Sequence, residues 1–140
     1  MDLDDLNPST GPAKLKLVHP GTGVELENDG KPLVIHVLGP DTDKMQRIER
    51  AIQAKRLKAA QRNGRINLNV EEIEAETIER LATSITGWEN ISVGGAALPY
   101  SHDNARDLMR SRVWMRDQID EFYRDRGNFL AASMEISKPH

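Results

Sequence analysis

The chain has 140 residues, 38% hydrophobic and 29% charged, with a formal charge of −3. That length fits one modest domain, and an apolar share below the roughly half of average soluble domains predicts a thin core. The absence of cysteine excludes disulfides, thiolate zinc sites and cysteine nucleophiles. The negative balance argues against a globally basic nucleic-acid binder, and no run nears the ~18 apolar residues of a membrane span.

Residues 1–12, acidic at Asp2, Asp4 and Asp5 and ending in NPSTGP, read as a flexible lead-in. They lack the basic and apolar regions of a signal peptide, so a soluble, cytoplasmic protein is expected. Residues 13–40 read as a small antiparallel β-sheet of two or three strands. Leu15 and Leu17 alternate with Lys14 and Lys16, and the turn-rich HPGTG follows. Residues 24–27 offer a short strand, Asp29-Gly30 is the hairpin cue, and PLVIHVLG is a strand that Gly39-Pro40 ends.

The period changes at Asp41, and residues 41–130 read as a module of three or four helices, giving an α+β fold. The first helix has Thr42 or Asp43 as cap, Gly64 as stop and a narrow apolar stripe of Met45, Ile48, Ile52 and Ala59. The second opens at Asn69, with Glu72 at capping-box spacing, and buries Ile73, Ile78, Leu81, Ala82 and Ile85. Gly87 is placed for a left-handed cap, with Trp88 as its hydrophobic contact. A third begins at Ser101 with Ala105, Leu108 and Met109 inward. It continues to Gly127 through Val113, Met115, Ile119 and Phe122, as one bent helix or two short ones. Residues 131–140 read as a frayed tail.

All six aromatics lie between Trp88 and Phe129, so that segment is expected to form the helical core, with the sheet and the first helix peripheral. No catalytic, cofactor or metal pattern emerges. The four histidines are dispersed, and His102 beside Asp103 reads as an exposed first-turn residue. Gly21-x-Gly23 lacks the Lys-Ser/Thr ending of a phosphate loop, the carboxylate groups lack a calcium loop's Gly and Glu, and no serine sits in a nucleophile elbow. SVGGAALPY reads as a connecting loop, or as a hinge or partner-binding edge. Charge segregation is more telling. Residues 44–65 carry eight cations relieved only by Glu49, and residues 71–79 answer with five glutamates. Three readings stand: the two helices complement each other or expose solvated faces, the basic helix docks an acidic partner helix, or it binds a nucleic-acid backbone. No aromatic interleaves the basic run, which counts against single-stranded nucleic acid.

Ile85 and a helix ending in Gly87-Trp88, Pro99-Tyr100-Ser101 opening the next, Asn104-Ala105, Trp114, Gln118, Phe122 and the closing Asn128-Phe129 resemble the phage tail assembly chaperones of long-tailed phages. The N-terminal HPGTGVELENDGKPLVIHVLGPDTDKMQR is similar to sheet-then-helix leaders of such proteins, so the resemblance spans roughly residues 14–130. Tyr100 departs from the more usual Phe and adds a hydroxyl. The resemblance implies no catalysis and no cofactor. It implies binding of the tape-measure protein in the infected host cytoplasm, keeping it soluble while tail-tube protein assembles around it, and departure before the virion is complete. Self-association is left open; nucleic acid and membrane are not expected partners. On this reading Trp88, Tyr100, Trp114, Phe122 and Phe129 form the helical core and border the binding groove, and Arg47, Arg50 and Arg56 steer a charged partner. A structural virion tail or connector protein is the alternative, then a DNA-binding regulator using residues 44–65, with an enzyme last.

Overall fold

The structure is a computed structural model and describes residues 1–64 and 69–131; the tail expected to fray lies, from residue 132 on, outside the described residues. It is α+β, as the residue pattern predicts. Strand β1 (Ala13–Lys16) buries Ala13 and leads to a buried Leu17 while Lys14 and Lys16 stay exposed. It pairs antiparallel with β4 (Val34–Val37), with Leu15 opposite Ile35. Between them β2 (Glu27–Asn28) and β3 (Lys31–Pro32) form a tight hairpin. Its corner is Asp29-Gly30, with φ of 52° and 78°, the double left-handed geometry for which that dipeptide is suited.

Helix α1 (Asp43–Asn63) is bounded as expected: the Thr42 hydroxyl accepts from Met45 N–H, and Gly64 closes it at φ 74°. Helix α2 (Val70–Ser84) starts at Asn69, whose side chain accepts from Glu72 N–H. Its end differs from expectation. No left-handed glycine caps it. The chain passes directly into strand β5 (Ile85–Glu89), which pairs antiparallel with the other edge of β4, Trp88 opposite Ile35 and Gly87 opposite His36. The physical reason is composition. Ile85, Thr86 and Trp88 favour extended backbone, and the two-stranded ribbon gains the third strand it needs for stability. The order β1-β4-β5 therefore draws its third strand from the segment expected to be purely helical. The division into a sheet region and a separate helical module is corrected accordingly.

After β5, β6 (Ser92–Val93) and β7 (Ala96–Ala97) make a second small hairpin, where Gly94 and Gly95 adopt φ of 63° and 81°. The expected connecting loop is thus a turn with the expected backbone angles. Helix α3 (His102–Ser111) is capped by the Ser101 hydroxyl, and α4 (Val113–Arg124) follows a break at Arg112, where φ and ψ are −123° and 89°. Two short helices, rather than one bent one, cover residues 102–124.

The core is shared by sheet and helices. Ile35 and Val37 of β4, Met45 of α1, Leu81 of α2, Met109 of α3 and Ile119 of α4 are all fully buried in one cluster. The expectation of a peripheral sheet and first helix fails here, because the buried face of β4 is the floor on which the helices pack. Three residues assigned to apolar stripes are instead exposed: Ala59, Ile73 and Val113. The N-terminal lead-in is also tied down. Ser9 N–H donates to the Phe129 carbonyl at 2.6 Å and Ala131 N–H to the Asn7 carbonyl at 3.2 Å.

Candidate partner-binding surface

The residues predicted to border a single groove fall in separate places. Trp88 lies on β5, partly buried, and meets Tyr100 edge to face with ring centroids 5.1 Å apart. Their polar tips are both used internally: Trp88 Nε1 donates to the Leu98 carbonyl and the Tyr100 hydroxyl to the Ile85 carbonyl, each at 2.8 Å. The pair thus pins the segment before α3 onto β5, and the hydroxyl that distinguishes Tyr100 from Phe has a defined partner. Phe122 and Phe129 form a second stack at 5.3 Å, joined by Tyr123. Phe129 is seated against Gly39, where a Cβ would stand 2.7 Å from the ring. Trp114 belongs to neither stack and packs, partly buried, against the common core.

An open groove of about 520 Å³ lies between β1 and α4, lined by Leu15, Lys16, Val18, Gln118, Phe122 and Asp125 among others. Of the residues predicted to meet a partner, Phe122 alone lines it. Gln118 closes part of the edge of the sheet here: its side-chain oxygen accepts from Val18 N–H at 3.0 Å and its nitrogen donates to the Val18 carbonyl at 2.7 Å. The amide thereby stands in for a neighbouring strand. No local pattern marks a glutamine on a helix as the partner of a strand 100 residues away.

The charged helices resolve the segregation seen in the sequence. Arg56 donates through two nitrogens to Glu76, at 2.6 and 3.1 Å, and Arg80 pairs with Glu49. Residue numbers rise along α1 as they fall along α2, so the two helices run antiparallel and their facing charges match. Burial and the Arg56 hydrogen bonds act oppositely on Glu76, and the hydrogen bonds prevail, holding its carboxyl below the ordinary range. Arg56, expected with Arg47 and Arg50 to steer a partner, is therefore committed within the molecule. Arg47 and Arg50 are exposed; Arg47 Nε donates to the Asp43 carbonyl at 3.3 Å. On the other flank of α2, Glu79 accepts from Arg106 at 3.0 Å and pairs with His102 at 3.2 Å, and the Arg106 hydrogen bond is the chief cause lowering its carboxyl.

Among the described residues, no group of three or more histidines and carboxylates is placed to hold a metal ion, and no helix is long and apolar enough to cross a membrane. Two further surface features lie on the helices: the distal half of the α1–α2 hairpin, where Leu57, Val70 and Ile73 are 59%, 79% and 46% exposed, and the outer face of α1. Comparison with family models, curated proteins and solved structures returns no match.

Proposed function

We propose that this chain is a tail assembly chaperone of a long-tailed phage, a non-catalytic protein that binds the helical tape-measure protein and keeps it soluble in the host cytoplasm while the tail tube assembles. The observation that carries the reading is the α1–α2 hairpin. Its paired helices leave the apolar residues Leu57, Val70 and Ile73 exposed, which is the unfinished burial that another amphipathic helix completes. The residue-level resemblance supports it in part. Ser101 and Asn104 do form the start of α3, whereas Gly87 and Trp88 stand in a strand rather than at a helix end.

The test is co-expression with the long helical tail protein of the same phage, scored by its soluble fraction and by co-purification. A partner that is insoluble alone and soluble with this chain supports the proposal. If the partner gains nothing and does not co-purify, the proposal fails and a structural virion component takes its place, recognisable by mass spectrometry of purified particles as a protein present in many copies.

A further inference from the structure

Helix α1 carries seven cations against two carboxylates in a chain whose net charge is −3, so the rest of the molecule carries −8. Arg56 and Glu49 turn toward α2, where both are paired. The remaining six cations, Lys44, Arg47, Arg50, Lys55, Lys58 and Arg62, are exposed and make no ion pair among the described residues. At 3.6 residues per turn all but Arg50 fall within about a quarter of the helix circumference, on a stripe about 27 Å long. The buried residues Met45 and Ile52 lie on another side of the helix, so the stripe is not consumed by the core.

We propose that this stripe is the docking surface for an acidic amphipathic helix. Charge complementarity sets the sign of the partner. Spacing sets its form: within each of two groups, Lys44 with Arg47 and Lys55 with Lys58 and Arg62, the cations recur at three- and four-residue steps, which match carboxylates displayed at i, i+3, i+4 and i+7 on an antiparallel or parallel helix laid alongside. Ala51 and Ala54, exposed between the charges, leave a low apolar saddle that lets the second helix axis approach closely. Leu57, 59% exposed, lies about 80° of helix rotation beyond the nearer edge of the stripe and stays outside this contact. A nucleic-acid duplex is disfavoured by the same map. A rod of phosphates continues past the stripe into the field of a body carrying −8, whereas one acidic helix engages the stripe alone. The inference rests on the reading above in one respect, that the chain binds a helix, and adds the chemistry by which it selects one.

The test uses the full chain and a fluorescent synthetic helix of about 25 residues, with glutamates along one face and alanines and a few leucines along the other, read by anisotropy at low and high salt. The acidic peptide is expected to bind at low salt and to be released at high salt, and a peptide with lysines for glutamates to show no binding. The variant Arg47→Gln/Lys55→Gln/Lys58→Gln removes no internal ion pair and keeps helix propensity, so it should melt with the parent protein. It should bind about tenfold more weakly, the combined loss expected for three exposed ion pairs. Replacing Lys16 and Lys31 by Gln, away from α1, should leave binding unchanged. Equal binding by the triple variant, no binding by the parent, or tighter binding of a duplex oligonucleotide of the same length each overturns the inference. The two readings separate in co-expression. A triple variant that still solubilises the tape-measure protein overturns the role of the stripe and leaves the chaperone reading standing. A parent protein that binds the acidic peptide but solubilises nothing does the reverse.

Discussion

Tyr123 gives the sharpest test of how the core is built. The residue is 5% exposed, and its hydroxyl has no hydrogen-bond partner among the described residues. A buried hydroxyl without a partner costs about 1–3 kcal/mol. Replacing Tyr123 by Phe recovers most of that and loses only one oxygen's dispersion contacts, about 0.1–0.2 kcal/mol each. The expected net effect is a gain of about 1 kcal/mol, or a rise of roughly 3–5 °C in Tm for a chain of this size. Burial also pushes the Tyr123 phenol up from 10.0 to about 12, with the nearby Glu49 carboxylate acting in the same direction. The folded state therefore holds the proton more tightly than the unfolded chain. The stability linked to it is complete below pH 10.0 and is lost as the pH rises toward about 12. Urea unfolding of parent and Phe variant at pH 7, and again across the alkaline range, reads both effects. A variant less stable at neutral pH by about 1 kcal/mol or more, or one losing stability above pH 10 as steeply as its parent, refutes the unpaired-hydroxyl account.

Tyr100→Phe should cost about 1 kcal/mol in thermal unfolding, because the Ile85 carbonyl loses its donor while the stacking on Trp88 stays; an unchanged Tm would mean water replaces the hydroxyl without loss. Gly39→Ala sets a Cβ 2.7 and 2.8 Å from Phe129 side-chain carbons, and should destabilise by about 1–3 kcal/mol in urea titration; a neutral result would show that Phe129 is not seated there. Gln118→Ala strips partners from both backbone groups of Val18 and should speed exchange of the Val18 amide, with a stability loss of about 1–3 kcal/mol. Glu76 and Glu79 are both held below the ordinary glutamate value of 4.5, so their contribution is present above that value and is lost as the pH falls through the lower folded values. An acid titration of Tm should show the fall in the parent and a shallower one in Glu76→Gln.

The sequence signals that proved reliable were local. Thr42 and Gly64 bound α1, Asn69 and Ser101 cap α2 and α3, and Asp29-Gly30 turns the first hairpin, because each acts through hydrogen bonds or backbone angles within a few residues. Long-range pairing was not legible. Ile85 to Glu89 is too short to show alternation, and at the end of an amphipathic helix Gly87 mimics a cap; only the free edge of β4, from residues 34–37, makes it a strand. The same holds for the candidate site. Aromatic mass identified which residues anchor the fold, but not that Trp88 and Tyr100 spend their polar ends on backbone carbonyls. Basic composition identified α1, but not which cations face α2. Arg56 and Arg50 look alike in the sequence, and the antiparallel register alone commits the first and leaves the second exposed.

Helix α2 shows how a thin core is compensated. Ile78, Leu81 and Ala82 supply its buried contacts, and its other flanks are held by charge: Glu76 and Arg80 toward α1, Glu79 toward α3, and Glu74 toward Arg116 of α4 at 3.5 Å. Exposed pairs of this kind contribute little singly, and their worth falls with salt. The half-buried Arg56–Glu76 pair, with two hydrogen bonds, is the strongest constraint on the outer half of α1, since α1 beyond Ile52 has no buried apolar residue. The hairpin is therefore the part of the fold whose position depends most on ionic conditions, and it is also the part that leaves apolar residues and unpaired cations on view. A helical partner that neutralises the α1 stripe would steady the segment that the core holds least firmly, so binding and local ordering should rise together and weaken together with salt.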